Sequence, residues 1–359
     1  MAQTTSIEWT DLSWNPTHGC SKVSPGCANC YAETLSLRYK QTLKPWTPAN
    51  AAENVILKPH KLREPLSNSA DWRGLGDAAK AAGKTDGKLV FVNSMSDLFH
   101  EEIPNEFIAA VFGVMAAAER HTFQVLTKRP ERMRQWFDWY ENEIREREHG
   151  WSPGAVAIDE ARAAGVDERY LYAHDDDCPW PLPNVWLGTS IENRRFVDRA
   201  NCLRATPAAV RFISAEPLLG PLVLDYPEAG GRSRGLPGNF CWADESYGGP
   251  PLDLEGIDWL IVGGESGAGH RPMNLGWVRD LRDDCLASGD FCSACTGTGK
   301  RCLNDEWVEV TCPDCDGRGS FGGTAFFFKQ HGGHTPKAGG RELDGREWSE
   351  FPTAAQVLA

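Results

Sequence analysis

The chain has 359 residues, of which 41% are hydrophobic and 24% are charged, as in an ordinary globular protein. Its formal net charge of −13 predicts a surface that as a whole repels nucleic acid. The amino terminus lacks the basic start and apolar core of a signal peptide, and the longest apolar stretch, residues 107–118, is too short to span a bilayer. We therefore expect a cytoplasmic protein without membrane contact, whose 12 cysteines are reduced and available for metals.

Three cysteines, Cys20, Cys27 and Cys30, lie near the amino terminus in a segment rich in glycine and proline. Three thiolates can hold three irons of a four-iron cluster and leave the fourth iron open, whereas a structural zinc site normally has four ligands. No fourth cysteine is nearby, and the gap of six residues after Cys20 is wide for a zinc knuckle. The pattern predicts a [4Fe-4S] site, with the alternative that His18 completes a zinc site.

A helix-like segment, residues 32–39, follows the last cysteine, and six apolar runs that end in small polar residues come later in the chain. These runs are residues 89–97, 122–129, 185–193, 210–217, 259–266 and 325–330, with helices predicted at 108–120, 194–205 and 275–287. Continuous apolar runs suit strands that are buried on both faces of a parallel sheet. The sequence thus predicts an α/β fold, either a doubly wound sheet or a partial or full TIM-like (β/α) barrel.

In both architectures ligands bind at the carboxyl ends of the parallel strands. The predicted strand ends carry Asn93, Ser94, Asp97, Thr127, Lys128, Ser190, Glu192, Ser214, Glu216, Glu265 and Ser266. Polar residues also mark the places where strands simply end at the solvent. Six strand ends that carry carboxylates, amides and hydroxyls nevertheless favour a ligand-binding pocket. We select Glu216, Glu265 and Lys128 as candidate catalytic residues, and the two glutamates are expected to recognise a hydroxyl or an amine. Lys128 and Arg129 are candidates for binding a phosphate or a carboxylate.

The core is expected to span residues 1–290, with surface insertions near 139–183 and 226–254. Residues 291–323 form a cysteine-rich insertion, and residues 324–359 form the final strand and the carboxyl-terminal tail. In the insertion, Cys292 and Cys295 form one Cys-x-x-Cys pair and Cys312 and Cys315 form a second; 16 residues separate the pairs, and glycines follow both. This spacing predicts a small zinc knuckle with four thiolates, against a redox dithiol or a second iron–sulfur cluster. The segment resembles the zinc repeats of J-domain chaperones, with two repeats where those have four.

Most of the chain outside the insertions resembles a phage and prophage three-cysteine family, called gene product thirty-seven/sixty-eight. The resemblance rests on residues 7–16, on the cysteine segment, and on the motifs at 94–99, 126–130, 186–190, 214–218, 263–266 and 326–330. That family has no assigned reaction. The phage context implies a nucleotide or a nucleic-acid base as substrate.

The cysteine segment is also similar in outline to radical S-adenosylmethionine enzymes, which carry such a loop after the first strand of a partial (β/α) barrel. This similarity implies that Cys20, Cys27 and Cys30 hold a [4Fe-4S] cluster that binds S-adenosylmethionine, and that a reductant protein supplies electrons. Those enzymes usually have cysteines three and two residues apart and an aromatic residue before the last one. Here the first gap is six residues and Tyr31 follows Cys30. The residues assigned to the cofactor are Tyr31, Asn93, Ser94, Ser190 and Glu192.

Three alternatives stay open. A metal-stabilised phage protein that binds nucleic acid or acts as an adaptor would use both cysteine sites structurally, without catalysis. A serine hydrolase would use Ser266 in a Gly-Glu-Ser-Gly-Ala run, although Ala268 replaces the second elbow glycine and His270 is too close for a usual triad. In the third alternative, Glu216 or Glu265 has no catalytic role and only forms an ion pair with Arg211 or Arg271.

Overall fold

One eight-stranded sheet forms the centre of the protein. The computed structural model describes residues 3–146, 152–171, 178–223, 250–291, 300–303, 308–311, 320–321, 323–335 and 337–352. The strands are β1 (Gln3–Thr4), β2 (Leu12–Trp14), β3 (Leu89–Val92), β4 (Thr122–Thr127), β5 (Val185–Ser190), β6 (Val210–Ala215), β7 (Trp259–Gly263) and β8 (Ala325–Gln330). Strand β1 is antiparallel to β2, and strands β2 to β8 run parallel to one another in chain order.

The seven parallel strands curl into a half-barrel, and no ladder within the described ranges joins β8 back to β2. This agrees with the predicted α/β class and is compatible with a partial (β/α) barrel. All six predicted apolar runs contain a strand, because each combines a buried run with a polar exit.

Eight α-helices accompany the sheet in the part of the chain that the structure describes. They are α1 (Tyr31–Arg38), α2 (Ala51–Asn54), α3 (Asp77–Ala81), α4 (Asn105–Ala117), α5 (Pro130–Glu146), α6 (Pro153–Ala163), α7 (Asp198–Arg204) and α8 (Leu275–Ala287). The last helix has the predicted bounds. The predicted helix at 108–120 begins three residues earlier, and that at 194–205 is divided into a 3₁₀ turn (Arg194–Phe196) and α7.

The expectation that residues 139–183 only elaborate the surface is wrong for α6. Val156, Ile158 and Ala161 on this helix are buried in the main core. The helix lies so close to α4 that a Cβ atom at Gly113 would overlap the Ala157 carbonyl. The charged composition around this helix concealed its apolar face, since the apolar positions are mostly small alanines.

The two faces of the sheet belong to different apolar clusters. The larger cluster includes Val90, Val92 and Leu187 together with helices α4 and α6. The other cluster joins alternate strand residues, including Phe91, Trp186, Phe212, Trp259 and Phe327, to Trp9. This aromatic cluster fills the inside of the half-barrel below the carboxyl ends of its strands. The polar exits lie above it.

The four predicted zinc ligands, Cys292, Cys295, Cys312 and Cys315, lie outside the described residues, as does most of the expected insertion at 226–254. Four short ladders complete the described structure. They pair Thr17–His18 with Ile56–Leu57, Asp290–Phe291 with Ser320–Phe321, Lys300–Leu303 with Val308–Thr311, and Glu342–Leu343 with Arg346–Glu347. No helix in the described part of the chain is both long and apolar enough to cross a bilayer.

Candidate functional site

The segment that follows β2, residues 15–30, carries the three predicted cysteines, and we call it the cysteine loop. Backbone and side-chain bonds join it to the exit of β3. Asn15 Oδ1 accepts from the Met95 amide at 2.8 Å, and the Gly19 amide donates to the Met95 carbonyl at 3.1 Å. Asn93 has a left-handed backbone, with φ of 63°, and its Nδ2 donates to Thr17 Oγ1 at 2.6 Å. The loop is therefore held against the carboxyl ends of the strands.

The first cysteine contacts a buried arginine at the exit of β4. Arg129 Nη1 donates to Cys20 Sγ at 3.4 Å and to Asp97 Oδ2 at 3.2 Å. The same guanidinium donates to Glu101 Oε2 at 3.0 Å and to Ser21 Oγ at 3.0 Å. Burial, aided by the charge of Asp97, raises the pKa of the Cys20 thiol to about 12, while the Arg129 hydrogen bond opposes that rise. Arg129, which we predicted to bind a phosphate or carboxylate, is instead committed to these internal partners.

A buried carboxylate at the exit of β5 holds the middle of the loop. Glu192 is fully buried, and its Oε1 accepts from Ser24 Oγ at 2.5 Å. Its Oε2 accepts from Arg199 Nη1 at 3.0 Å. A Cβ atom at Gly26 would overlap this carboxylate, which gives a physical reason for a glycine beside Cys27. Glu192, predicted as a cofactor residue, thus acts on the loop.

The last cysteine is fixed by the exit of β7 and by helix α1. Asn29 Nδ2 donates to Glu265 Oε2 at 3.0 Å, and Arg271 pairs with the same carboxylate through bonds of 2.5 and 2.8 Å. Cys30 is the N-cap residue of α1, and the backbone amides of Ala32 and Glu33 lie in the first turn of that helix. Burial raises the pKa of the Cys30 thiol, and those amides oppose the rise. Predicted residue Glu265 therefore positions the segment that precedes Cys30.

A second set of charged groups surrounds the strand exits. Glu216 Oε1 lies 2.9 Å from Lys329 Nζ, and Glu216 Oε2 accepts from Ser214 Oγ at 3.1 Å. Lys128 Nζ lies 3.9 Å from Glu192 Oε1, and the Lys128 side chain is 22% exposed. Two lysines and a glutamate that retain some exposure can contact a polar ligand. Lys329 was not among the predicted site residues. Its position near the polar end of the last apolar run, residues 325–330, is the sequence feature that could have identified it.

The remaining predicted cofactor residues lie close to the cysteine loop. Tyr31 Oη donates to the Ser94 carbonyl at 2.6 Å, and the Ser94 hydroxyl bonds to the side chain of Asn15. Ser190 is buried, and its carbonyl accepts from Arg199 Nη1 at 2.7 Å. Tyr31 is the most accessible of these residues, with 53% of its surface exposed.

The sequence profile of DUF5131, described as a protein of unknown function, matches residues 4–293. The chain belongs to this family. The matched region of the DUF5131 protein includes the cysteine loop and strands β2 to β7. No curated protein and no solved structure matches the chain.

Only one of the two candidate glutamates forms its expected ion pair with an arginine in the described residues. Glu265 pairs with Arg271, as the alternative stated. Glu216 pairs with Lys329 instead, because Arg211 donates to backbone carbonyls at the amino end of its strand. A short-range sequence argument could find the first pair, which spans six residues, but not the second, which joins distant strands.

The alternative zinc site and the alternative hydrolase site depend on His18 and Ser266, respectively. His18 is buried, its Nε2 bonds to Ser36 Oγ at 3.0 Å, and its ring packs edge-on against Trp46. Ser266 lies in an irregular segment between β7, which ends at Gly263, and α8, which begins at Leu275. A nucleophile elbow needs a tight turn from strand to helix, and that turn is not formed at Ser266.

The cysteine loop carries three free thiols, which is the number and type of protein ligand that a cluster with one open iron requires. Cys20, Cys27 and Cys30 are free cysteines of intermediate exposure. The proximity of Cys27 helps to raise the pKa of the other two thiols. Within the described ranges, no three or more His, Cys, Asp or Glu side chains are grouped to hold a single ion. The thiolates of an iron–sulfur cluster bind different irons, so they need not converge on one point. Arg129 and Lys128 supply positive charge beside them.

Proposed function

We propose that this protein is an iron–sulfur enzyme of the radical S-adenosylmethionine type that acts in the cytoplasm on a nucleotide or a nucleic-acid base. The supporting observation is the position of Cys20, Cys27 and Cys30 on one loop at the carboxyl ends of a parallel half-barrel. In such sheets the carboxyl ends of the strands are where ligands bind. We infer that the half-barrel serves as the partial (β/α) barrel of this enzyme type.

Three separate strand exits position the thiols, and this is the first task of the chain in the proposed reaction. Arg129 holds the Cys20 segment, Glu192 holds the segment before Cys27, and Glu265 holds Asn29 beside Cys30. Fixing the ligands in advance lowers the cost of ordering them when a cluster binds. Because Arg129 donates to sulfur, it favours the thiolate form that metal binding requires.

The residues around the strand exits would bind and orient the other molecules. When bound, the cluster and S-adenosylmethionine supply radical chemistry, in which a 5′-deoxyadenosyl group removes a hydrogen atom from the substrate. Lys128 and Lys329 would bind a phosphate or carboxylate, and Glu216 would accept from a hydroxyl or amine. The buried aromatic cluster inside the half-barrel would exclude water from the side of the site away from the strand exits. We extend the proposal to a structural zinc ion at Cys292, Cys295, Cys312 and Cys315.

The experiment that tests this proposal is anaerobic reconstitution with iron and sulfide, followed by incubation with S-adenosylmethionine and dithionite. We expect about four irons and four sulfides at the cysteine loop, and 5′-deoxyadenosine as a product. Cys27→Ala should lose both. Cys202→Ala is the matched control, since Cys202 is a free, partly exposed thiol on α7, and it should behave like the wild type.

Two outcomes would contradict the proposal in different ways. A full cluster without cleavage of S-adenosylmethionine would assign the cluster a non-radical role. Zinc as the sole metal at both cysteine sites would favour the non-catalytic adaptor.

A further inference from the structure

Most of the exposed large hydrophobic side chains in the described part of the chain lie in or just after the cysteine loop. Nine large hydrophobic side chains are exposed in the described part of the chain, and seven of them lie between residues 23 and 56. They are Val23, Tyr31, Leu35, Leu37, Tyr39, Leu43 and Ile56. Leu43 is 83% exposed and Tyr39 is 64% exposed. Exposed apolar side chains that cluster on one region usually mark an interaction surface.

These side chains belong to one folded region, residues 20–66, which we call the basic lobe. The Trp46 amide donates to Glu33 Oε1 on α1 at 2.8 Å, and the Gln41 amide donates to the Ser36 carbonyl at 2.8 Å. The Ile56 strand pairs with His18 next to the cysteine loop. These contacts join the segment that carries the exposed residues to α1, whose N-cap is Cys30, and to the strand that contains His18.

The charge of the lobe is opposite to that of the whole protein. Residues 20–66 contain seven lysines and arginines, three glutamates and no aspartate, in a chain with a net charge of −13. Each glutamate already has a lysine partner, in the pairs Lys22–Glu33, Lys44–Glu53 and Lys61–Glu64. Arg38 and Lys40 are exposed and have no carboxylate partner in the described residues. The lobe thus combines an apolar surface with excess positive charge.

We propose that the basic lobe is the docking surface for an acidic electron-carrier protein, an inference that rests on the proposed function. Aliphatic side chains outnumber aromatic ones here, which favours a protein partner over stacked bases. The positive charge would steer an acidic protein to the lobe. Val23 and Tyr31 lie within the cysteine segment or next to it, so a bound donor would be close to the cluster. One electron would pass from the reduced carrier to the cluster, and no bond would form or break.

The test uses reduced flavodoxin, a small acidic carrier, as the probe and measures both its affinity and the rate at which it reduces the reconstituted cluster. We expect the Kd for the wild type to rise about tenfold between low and physiological salt. The double variant Arg38→Glu/Lys40→Glu should weaken binding about tenfold, and Leu43→Asp about fivefold, with matching losses in the rate of reduction. Reduction by dithionite should stay unchanged in all variants.

Matched controls come from the exposed turn after α6. Arg169→Glu and Tyr170→Asp make the same kinds of change on another exposed segment and should leave binding unchanged. The proposal is overturned if flavodoxin forms no salt-sensitive complex, or if the lobe variants bind it like the wild type. It is also overturned if the lobe variants lose binding to a single-stranded oligonucleotide while their affinity for flavodoxin is unchanged. Absence of a cluster would refute the proposed function separately, because the affinity measurement does not need one.

Discussion

Buried charges of single residues hold the cysteine loop in place. Arg129 has only 4% of its side chain exposed and bonds to Asp97, Glu101 and Cys20. Glu192 and Glu265 are also buried, and each has an arginine partner. A buried charge that loses its partner costs far more than a solvated one, so these residues should tolerate substitution poorly.

We expect Arg129→Gln to destabilise the protein by about 3 kcal/mol, because it leaves the Asp97 carboxylate buried without its cation. Arg134→Gln is the control, since Arg134 forms an exposed helical pair with Asp138 at 3.2 Å and should cost less than about 0.5 kcal/mol. Urea denaturation at pH 7 measures both free energies of unfolding. Equal losses in the two variants would contradict the buried network.

A second prediction concerns pH. Burial, aided by the positive charges of Lys58 and Lys61, lowers the pKa of His18 from 6.5 to about 4. Between these pKa values the unfolded chain binds a proton that the folded chain does not, so stability is complete above pH 6.5 and falls as the pH drops toward 4. The expected loss from this residue is on the order of 1–2 kcal/mol.

Urea denaturation at pH 7.5 and pH 5 checks this expectation in three proteins. His18→Gln removes the titrating group, so its stability should fall less between the two pH values than that of the wild type. His60→Gln changes a histidine that is exposed in the structure and should follow the wild type. A wild type and a His18→Gln variant with the same pH dependence would refute the role of His18.

At the scale of elements, the sequence predicted the strands and helices whose residue pattern lies within one short segment. The six apolar runs with polar exits became strands, and residues 275–287 became α8. The short strand β2 escaped prediction, because its three residues carry no periodicity. Helix α6 is buried by contact with a distant helix, which no short window of sequence reveals. The loop contacts of Glu192 and Glu265 escaped for the same reason.

Asp11 offers a test of how the elements are joined. Its Oδ1 accepts from the Ala78 amide at 2.8 Å, and its Oδ2 accepts from the Leu89 amide at 2.8 Å. It therefore links the first turn of α3 to the start of β3. We expect Asp11→Ala to cost about 2 kcal/mol in urea denaturation, since the amides lose a charged acceptor.

Asp77→Ala is the matched control for this link. Asp77 is exposed in the first turn of the same helix, so its removal affects only the helix dipole and should cost less than about 1 kcal/mol. If Asp77→Ala is as destabilising as Asp11→Ala, the cap made by Asp11 contributes little to stability.

At the scale of the whole molecule, a bound cluster should stabilise the fold, because ligands bind the folded chain and not the unfolded one. We expect anaerobic reconstitution to raise the Tm of the wild type and of Cys202→Ala by roughly 5 °C or more. Cys27→Ala should show no rise, and removal of iron by a chelator should reverse the rise in the wild type. Differential scanning calorimetry measures all four conditions, and an equal rise in Cys27→Ala would contradict a cluster at the loop.

The arrangement of strands in chain order has a consequence for biosynthesis. Each new strand is added beside its predecessor, so the sheet can grow as the chain leaves the ribosome. The cysteine loop emerges early, but its anchors Glu192 and Glu265 are made much later. During this interval the thiols are unshielded and open to oxidation or to a wrong metal. Insertion of the proposed metal centre would therefore follow translation of most of the protein.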